Sequence, residues 1–303
     1  MVCVGEGKNK DDKHAGGTCS GDAYTRKTTN KQPMMKTSMH RESEQEVDII
    51  STLPDSIVTH IMEFLVTKEA VHTSILSKRW KHLWKSLAIL IINSNQFDKA
   101  EFFKKFVLKV LQHRDYSSAL RKIVVKHNGH IHFHILAKII NYAVSYEVEQ
   151  FKLDTFLRND VRNMLLFHPL FYLRSLKRLD VSLRKSGWIA QLPHNLDFIG
   201  EANIDVLCHS SIPGVEETLK NWFRRISNVH SLSLCLQTLE GLSHIPDFPY
   251  IESMGFSKLK SVIVRRFAET VPLPKGVLDY LLQDSPLAEC RIIQVSGPLN
   301  RLI

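Results

Sequence analysis

The sequence lacks the features that mark the common enzymes and membrane proteins. No apolar run reaches the length of about 18 uninterrupted residues that would indicate a membrane-spanning helix. The GxSxG, GxxxxGK[ST], HExxH and GxGxxG motifs of hydrolases, nucleotide-binding proteins, zinc proteases and dinucleotide-binding enzymes are also missing. We therefore expect a protein that is neither an enzyme nor integral to a membrane, with no catalytic residue and no cofactor.

Cysteine is scarce, and its spacing favours no disulfide or zinc framework. The five cysteines are odd in number and include no CxxC pair. They are Cys3, Cys19, Cys208, Cys235 and Cys290. We expect the last three, which lie in or beside strand patterns, to be buried and unreactive. The first residues also lack the positive-then-apolar pattern of a secretory signal, so we expect the protein in the nucleus, the cytoplasm or both.

A histidine-rich stretch offers the one pattern that could indicate a metal site. His130, His132 and His134 alternate, so on a strand they would share one side. No carboxylate or thiol lies nearby at ligand spacing, and on a helix the three imidazoles would spread over different faces. We interpret them as surface or boundary histidines and predict no metal site.

The net charge of +9 would suit an acidic partner or nucleic acid. Residues 1–46 are rich in Lys, Gly, Ser, Thr and Asn and show no apolar periodicity, so we expect a disordered tail. Lys and Arg in this tail are nearly balanced by Asp and Glu, so it is not a basic arm. Nucleic-acid binding therefore remains a minor alternative, which a salt-sensitive gel shift would reveal.

Residues 48–87 contain more apolar surface than so short a segment can bury by itself. We predict three helices here. The first has Pro54 at its first position, the second is capped by Thr67, and the third is an amphipathic helix over Leu76–Leu87. The simplest interpretation is a small bundle whose tryptophans form its own core. Otherwise, the surplus apolar side chains contact the next domain or a partner.

Three short sequences in this stretch distinguish these interpretations. They are Leu53-Pro54-Asp55, Thr67-Lys68-Glu69-Ala70-Val71, and Thr73-Ser74-Ile75-Leu76-Ser77-Lys78-Arg79-Trp80 followed by Leu83-Trp84. In this order and spacing they resemble the F-box of plant F-box/leucine-rich-repeat (LRR) and FBD-like proteins. We assign residues 47–87 to the F-box on this resemblance. Val66 stands where the family usually has proline, so we expect a looser turn there.

The resemblance implies a role in protein degradation. A family F-box docks on a Skp-type adaptor, which joins a cullin, while the rest of the chain holds a protein substrate. We expect about half of the matching apolar residues to contact the adaptor and the others to hold the helices together. The candidate adaptor-binding residues are Leu53, Pro54, Ile57, Ile61, Leu65, Val71, Leu76, Trp80, Leu83 and Trp84.

Residues 88–303 repeat the pattern x-Φ-x-x-Φ-x-Φ, where Φ is an apolar residue. Clear copies begin near residues 119, 147, 175, 228 and 258, and weaker copies near 200 and 286. The intervals are roughly 25 to 30 residues, and each unit has an apolar side that a stacked neighbour would cover. We predict an α/β chain in which an irregular leucine-rich-repeat solenoid follows the three-helix F-box. An α/β protein of alternating strands and helices would give similar intervals.

Alternation along the strands defines a candidate substrate-binding face. If the strands line a concave surface, the fourth and sixth pattern positions point toward a ligand, and the second, fifth and seventh face the core. These residues are Lys122, Val124, Gln150, Lys152, Arg178, Asp180, Ser231, Ser233, Ser261 and Ile263. The set is mildly basic, so we expect an acidic patch on the substrate, and weaker substrate capture after charge reversal at Lys152 and Arg178.

The sequence thus predicts the substrate-recognition subunit of an SCF-type (Skp–cullin–F-box) ubiquitin ligase, in which a separate enzyme supplies the catalysis. The expected partners are a Skp-type adaptor, a cullin bound through it, and an unknown protein substrate, with no membrane. The alternative is a ligase-independent repeat scaffold. Ubiquitin-dependent turnover of a captured partner would distinguish the two.

Overall fold

The computed structural model describes residues 49–156, 168–184, 196–207, 215–244, 255–266 and 272–295. All of them belong to one unit, Asp48–Ile303. The tail over residues 1–46, which was predicted to be disordered, lies outside the described residues.

Four short helices precede the first strand. They are α1 (Ile49–Thr52), α2 (Asp55–Met62), α3 (Thr67–His72) and α4 (Trp80–Leu83), with 3₁₀ turns at Thr73–Ile75 and Trp84–Ser86. The helix predicted over Leu76–Leu87 is wrong in extent, because it begins only at Trp80. The Ser77 hydroxyl accepts a hydrogen bond from the Trp80 N–H at 3.4 Å, a local bond that competes with continuous helix.

The two predicted helix starts are each displaced by one residue. Pro54 precedes α2 instead of occupying its first position, because its ψ of 151° is extended although its φ of −59° suits a helix. Thr67 is the first residue of α3, and Val66 is the N-cap. Val66 has φ −65° and ψ 140°, which is the conformation that proline adopts. The turn is therefore no looser at this residue than proline would make it.

One sheet of parallel strands follows the helices, and neighbouring strands lie in chain order. In the described residues the strands are β1 (Ile89–Asn93), β2 (Lys122–His130), β3 (Gln150–Phe156), β4 (Arg178–Arg184), β5 (Glu201–Leu207), β6 (Ser231–Cys235), β7 (Ser261–Arg266) and β8 (Glu289–Gln294). The mixed α/β class, with N-terminal helices and a parallel sheet, is confirmed.

Helices occupy the connections between the strands. The described ones are α5 (Ala100–His113), α6 (Phe133–Ser145), α7 (Val215–Arg225), α8 (Leu236–Ser243) and α9 (Lys275–Leu282). Helix α8 was not predicted, because it begins directly after β6 with no turn residues to mark its start. None of the helices in the described ranges combines the length and hydrophobicity that crossing a bilayer requires.

Cross-strand pairing gives the true length of each repeat. One row of paired residues contains Lys122, Gln150, Arg178, Glu201, Ser231, Ser261 and Glu289, so successive units are 28, 28, 23, 30, 30 and 28 residues long. The weak copy predicted near residue 200 begins at 198, because Glu201 pairs with Arg178. Ala202 pairs with Leu179, and this small residue obscured the pattern.

The fifth and seventh pattern positions form the core, as the alternation predicted. Ile123 and Val125 of β2 are fully buried, and so are Val262 and Val264 at the same positions of β7. Burial of these branched side chains against the connecting helices supplies the main stabilisation, on the order of 1.5–3 kcal/mol for each fully buried side chain. The fourth and sixth positions consequently lie on the other face of the sheet.

Candidate functional site

The F-box helices present a set of large apolar side chains to solvent. We call Ile49, Ile50, Ile57, Ile61, Phe64, Ile75 and Leu76 the exposed apolar set. Ile57, Ile61 and Phe64 follow one another at i, i+4 and i+7, so they lie along one side of α2 and its C-terminal turn. Phe64 is 76% exposed and Ile75 is 85% exposed. Exposed apolar surface of this kind marks an interaction site.

The opposite side of α2 belongs to the core. Val58 and Met62 are fully buried, whereas Ile57 and Ile61 are 46% and 47% exposed. Helix α2 is therefore apolar on two sides, of which only one is covered in the described structure.

The ten predicted adaptor-binding residues divide into three groups. Pro54, Ile57, Ile61 and Leu76 are exposed. Leu53, Leu65, Val71, Trp80 and Leu83 are half-buried and pack against the core. Trp84 is only 8% exposed and is a core residue.

Sequence reasoning missed four members of the exposed apolar set. Ile49 and Ile50 lie in α1, a helix that was not predicted. Phe64 and Ile75 were not among the predicted adaptor-binding residues. The spacing of Phe64, seven residues after Ile57, was the available signal.

Arg79 fixes the chain segment that enters α2. Its Nε donates to Asp55 Oδ1 at 2.6 Å, and its Nη1 donates to the Ser51 carbonyl at 2.8 Å. Its Nη2 also donates to the Leu53 carbonyl. One guanidinium therefore connects the segment before α4 to both α1 and α2, which places the exposed apolar set on a defined framework.

Two F-box side chains bond directly to the edge of the sheet. Thr67 is fully buried, and its Oγ1 accepts a hydrogen bond from the Ile91 N–H of β1 at 2.8 Å. Glu63 Oε1 accepts from the Ala88 N–H at 3.2 Å. Because these N–H groups would otherwise be unpaired at a sheet edge, the bonds attach the F-box to the first strand.

A buried arginine completes this junction. Arg114 follows α5, is 1% exposed, and donates to the Leu87 carbonyl from both Nε and Nη2, at 3.2 and 2.8 Å. It also donates to the carbonyls of Ser118 at 2.9 Å and Ala119 at 2.6 Å. Its guanidinium carbon lies 5.0 Å from the Tyr146 ring centre, a favourable cation–π position. The residue thus links the end of the F-box to the first two repeats.

The predicted substrate-binding residues occupy two adjacent rows on one face of the sheet. Lys122, Gln150, Arg178, Ser231 and Ser261 belong to the first row. The second row contains Val124, Lys152, Asp180, Ser233 and Ile263. Glu201 and Asn203 complete the two rows at β5. Sequence reasoning missed both because of the weak pattern around Ala202.

Most charges of this face neutralise one another. Arg178 lies 2.6 Å from Glu201 and 3.2 Å from Asp180, which Lys152 approaches at 3.9 Å. Among the described ion pairs none involves Lys122. Charge reversal at Lys122 therefore probes an acidic partner better than charge reversal at Arg178, which would also break the Arg178 pairs with Asp180 and Glu201. The expected basic character is therefore restricted to the first repeats.

A polar network lies beside these rows at the ends of the strands. Arg265 Nη2 donates to Asp205 Oδ1 at 2.7 Å and also to Asn203 Oδ1, and Ser182 Oγ donates to Asp205 Oδ2 at 3.1 Å. Burial raises the pKa of Asp205, and the positive charge of Arg265 opposes that rise. The network orders the face across β4, β5 and β7.

The histidines and cysteines form no reactive centre within the described residues. His130 ends β2, His132 precedes α6 and His134 lies in it, and no group of three potential ligands is close enough to hold a metal ion in the described ranges. Burial raises the pKa of the Cys235 thiol to about 12, so it stays protonated at neutral pH. The expectation of burial is wrong for Cys290, which is exposed because no element covers β8 in the described structure. Cys208 lies outside the described residues.

Comparison with known proteins agrees with the arrangement of the helices. A family model described as the F-box domain matches residues 50–92. An Arabidopsis thaliana F-box/FBD/LRR-repeat protein is 30% identical over 151 residues, which are 48% of this chain and 34% of the relative. A second protein of that name is 26% identical over 220 residues, which are 72% of this chain and 43% of the relative.

A third relative from Arabidopsis thaliana, F-box/LRR-repeat protein 13, is 36% identical over 87 residues, 29% of this chain and 19% of that protein. The resemblance to plant F-box/LRR proteins is thus confirmed. The chain spans less than half the length of these three relatives. The F-box family model thus covers only the helical region and the start of β1, whereas the 220-residue match to the second relative also extends into the sheet region.

Proposed function

We propose that this F-box/LRR protein is the substrate-recognition subunit of an SCF-type ubiquitin ligase. In this proposal the exposed apolar set docks on a Skp-type adaptor, which joins a cullin. The observation that carries the proposal is that α2 is apolar on two sides, with Val58 and Met62 in the core and Ile57 and Ile61 in solvent. An outside partner must cover the second side if that surface is to leave water.

The sheet supplies the substrate-binding part of the proposal. Parallel strands in chain order, each followed by its own connection, support our proposal that this region is an irregular leucine-rich-repeat solenoid. The two rows that contain Lys122, Gln150, Lys152 and Arg178 would contact the substrate. Small serine side chains at β6 and β7 leave room for larger side chains of the substrate. The paired charges of β4 and β5 would select a substrate whose surface charges are complementary to them.

The junction between the F-box and the sheet gives the proposal its mechanism. Thr67, Glu63 and Arg114 bond the helices to the first strand and the segment before it, so adaptor and substrate would be held at a fixed separation. A substrate lysine held near a conjugating enzyme reacts faster because its effective concentration rises. No catalytic group of this chain is required, and we place the reaction in the nucleus or the cytoplasm.

Adaptor binding tests the proposal directly. The variant Ile75→Asp/Leu76→Asp puts two charges into side chains that are 85% and 65% exposed, so folding is preserved while the contact is lost. We expect affinity for a purified Skp-type adaptor to fall by about 30-fold or more, equivalent to about 2 kcal/mol. This pair is a cleaner probe than Leu53→Ala/Pro54→Ala, because Leu53 also packs against the core.

The matched control is Leu287→Asp, which introduces a charge at a side chain 98% exposed near β8. It should bind the adaptor like the unmodified chain. The proposal fails if the adaptor still co-precipitates after the whole F-box is deleted. If adaptor binding is normal but a captured partner is not turned over in a ubiquitin-dependent way, the scaffold function is favoured.

A further inference from the structure

The last described strand leaves its core-facing side chains in solvent. All six residues of β8 are exposed. Cys290 pairs with Val262, and Ile292 pairs with Val264, two residues that are fully buried. Ile292 is nevertheless 46% exposed, and Leu287 just before the strand is 98% exposed. The sequence pattern of a core strand therefore continues to β8, although nothing in the described structure covers it.

The outer edge of β8 is also open. In the sheet β8 pairs only with β7, so its other edge has no strand beside it among the described residues. An open edge that carries apolar side chains is a template for another strand, and a stack of repeats needs a cover at each end. One added strand would therefore pair the free backbone groups of this edge and also cover the exposed side chains at the core positions of β8.

We propose that the edge of β8 pairs with β8 of a second copy of this chain, in antiparallel orientation. A two-fold axis perpendicular to the sheet makes the contact isologous and keeps the helices of both copies on the same side. Residues that face each other directly then point to the same face. The core-facing residues of one copy meet the core-facing residues of the other.

Charge selects the register of this pairing. Glu289 and Arg291 lie on the same face of β8 and are 2.8 Å apart within one chain. When Cys290 lies opposite its own counterpart, Glu289 of each copy faces Arg291 of the other. Shifting the register by one step in either direction places Arg291 opposite Arg291 or Glu289 opposite Glu289, which is unfavourable. The strand is therefore self-complementary in one of these three registers.

The same register places Ile292 opposite Ala288 on the helix side of the joined sheet. This contact removes from water the apolar side chains that β8 leaves exposed in one chain. The Glu289–Arg291 pairs lie on the opposite face, near the end of the two rows described above. The contact is far in the sheet order from β1, so it is independent of adaptor docking.

Sedimentation equilibrium of the full chain tests the association. We expect a monomer–dimer equilibrium in the micromolar range. Arg291→Glu should raise the dissociation constant by about tenfold or more, because each Glu289 then faces a glutamate. Glu289→Arg alone should have a similar effect. The double exchange Glu289→Arg/Arg291→Glu should restore the dimer, since opposite charges again face each other.

Disulfide trapping tests the register. The Glu289 and Val295 N–H groups donate to carbonyls of Lys260 and Arg266, so the Cys290 backbone groups point to the free edge and the facing Cys290 residues form a hydrogen-bonded pair. In such an antiparallel pair the two Cα atoms lie about 5.5 Å apart, within the range that a disulfide spans. With copper(II)-phenanthroline as oxidant, the two Cys290 thiols release two protons and pass two electrons to two copper(II) ions. A covalent dimer should form, persist in Cys19→Ser and be lost in Cys290→Ser.

Two results would overturn the proposal. One is a chain that stays monomeric at every concentration, which would mean that β8 is covered by its own chain or by another protein. The other is a dimer that is insensitive to Arg291→Glu or still cross-links after Cys290→Ser, because the copies would then meet through another surface. Adaptor binding should be unchanged in all these variants, so failure here leaves the proposed function untouched.

Discussion

The two ends of the sheet carry the same strand pattern but different surroundings. At the first end, F-box side chains accept hydrogen bonds from the Ala88 and Ile91 N–H groups, and Leu90 and Ile92 are fully buried. At the other end every residue of β8 is exposed, including Ile292 in a core position. The F-box is therefore an end cap of the sheet as well as the docking unit that we propose. The difference shows that the sequence pattern of a strand determines which side chains face the core side of the sheet. Whether those side chains are buried depends on the element that packs beside the strand.

The capped end should depend most strongly on Arg114. Arg114→Met keeps the length of the side chain but leaves the Leu87 and Ala119 carbonyls without their donor. We expect the free energy of unfolding to fall by about 3–5 kcal/mol, because at least two carbonyls lose their donor and each buried group left unpaired costs about 1–3 kcal/mol. Urea denaturation followed by circular dichroism measures the loss.

The same exchange at the open end is the control. Arg291→Met removes a guanidinium that is 64% exposed, so in the monomeric chain it should leave the denaturation midpoint unchanged. Equal midpoints for Arg114→Met and the unmodified chain would show that the capped end is held by packing alone.

A matched pair of isoleucines compares burial at the two kinds of strand. Ile204 of β5 and Ile292 of β8 hold the same pattern position, but Ile204 is 1% exposed and Ile292 is 46% exposed. Ile204→Ala should lower the free energy of unfolding by about 2–5 kcal/mol, because it leaves a cavity. For Ile292→Ala we expect a loss below about 1 kcal/mol in dilute solution.

Protein concentration sharpens this comparison. If two copies pair through β8, the loss caused by Ile292→Ala should grow with concentration, because the dimer buries that side chain. The loss caused by Ile204→Ala should stay constant. Equal losses for the two variants in the monomer would show that one chain already covers its last strand.

The sequence was sufficient for features that depend on local pattern. Alternation identified Ile123, Val125, Val262 and Val264 as core residues, and the F-box motifs located the N-terminal helices. Features that depend on neighbours were missed. The pattern at Cys290 and Ile292 is that of a buried strand, and only the strand order shows that nothing follows β8 in the described structure.

Two other differences have local causes. Glu201 and Asn203 were overlooked because Ala202 between them is too small to mark a core position. The roles of Thr67 and Arg114 could not be predicted, because a polar residue gives no sequence signal of the distant backbone groups that it will satisfy. For the candidate substrate-binding rows, the sequence pattern identified the other members, whereas the ion pairs of Arg178 could be seen only from the neighbouring strands.

At the capped end, a smaller effect than that of Arg114→Met concerns the hydrogen bond that closes the edge. Thr67→Val has nearly the same shape but cannot accept the hydrogen bond from the partly buried Ile91 N–H. We expect a loss of about 1–2 kcal/mol in the free energy of unfolding, because a donor that is shielded from water and left unpaired costs about that much. The Ile91 amide should also exchange its hydrogen faster, because it would then lack an acceptor, as the N–H groups on the open edge of β8 do.

Thr67→Ser separates the hydroxyl from the methyl group, since serine keeps the acceptor and loses only a methyl. Its Ile91 amide should exchange as slowly as in the unmodified chain, even if overall stability falls. Should Thr67→Val leave that exchange rate unchanged, the edge would be protected by burial under α3 and not by the hydrogen bond. In that case β1 and β8 would differ only in the burial of their apolar side chains. Hydrogen bonding of the backbone groups at the outer edge would no longer distinguish the two strands.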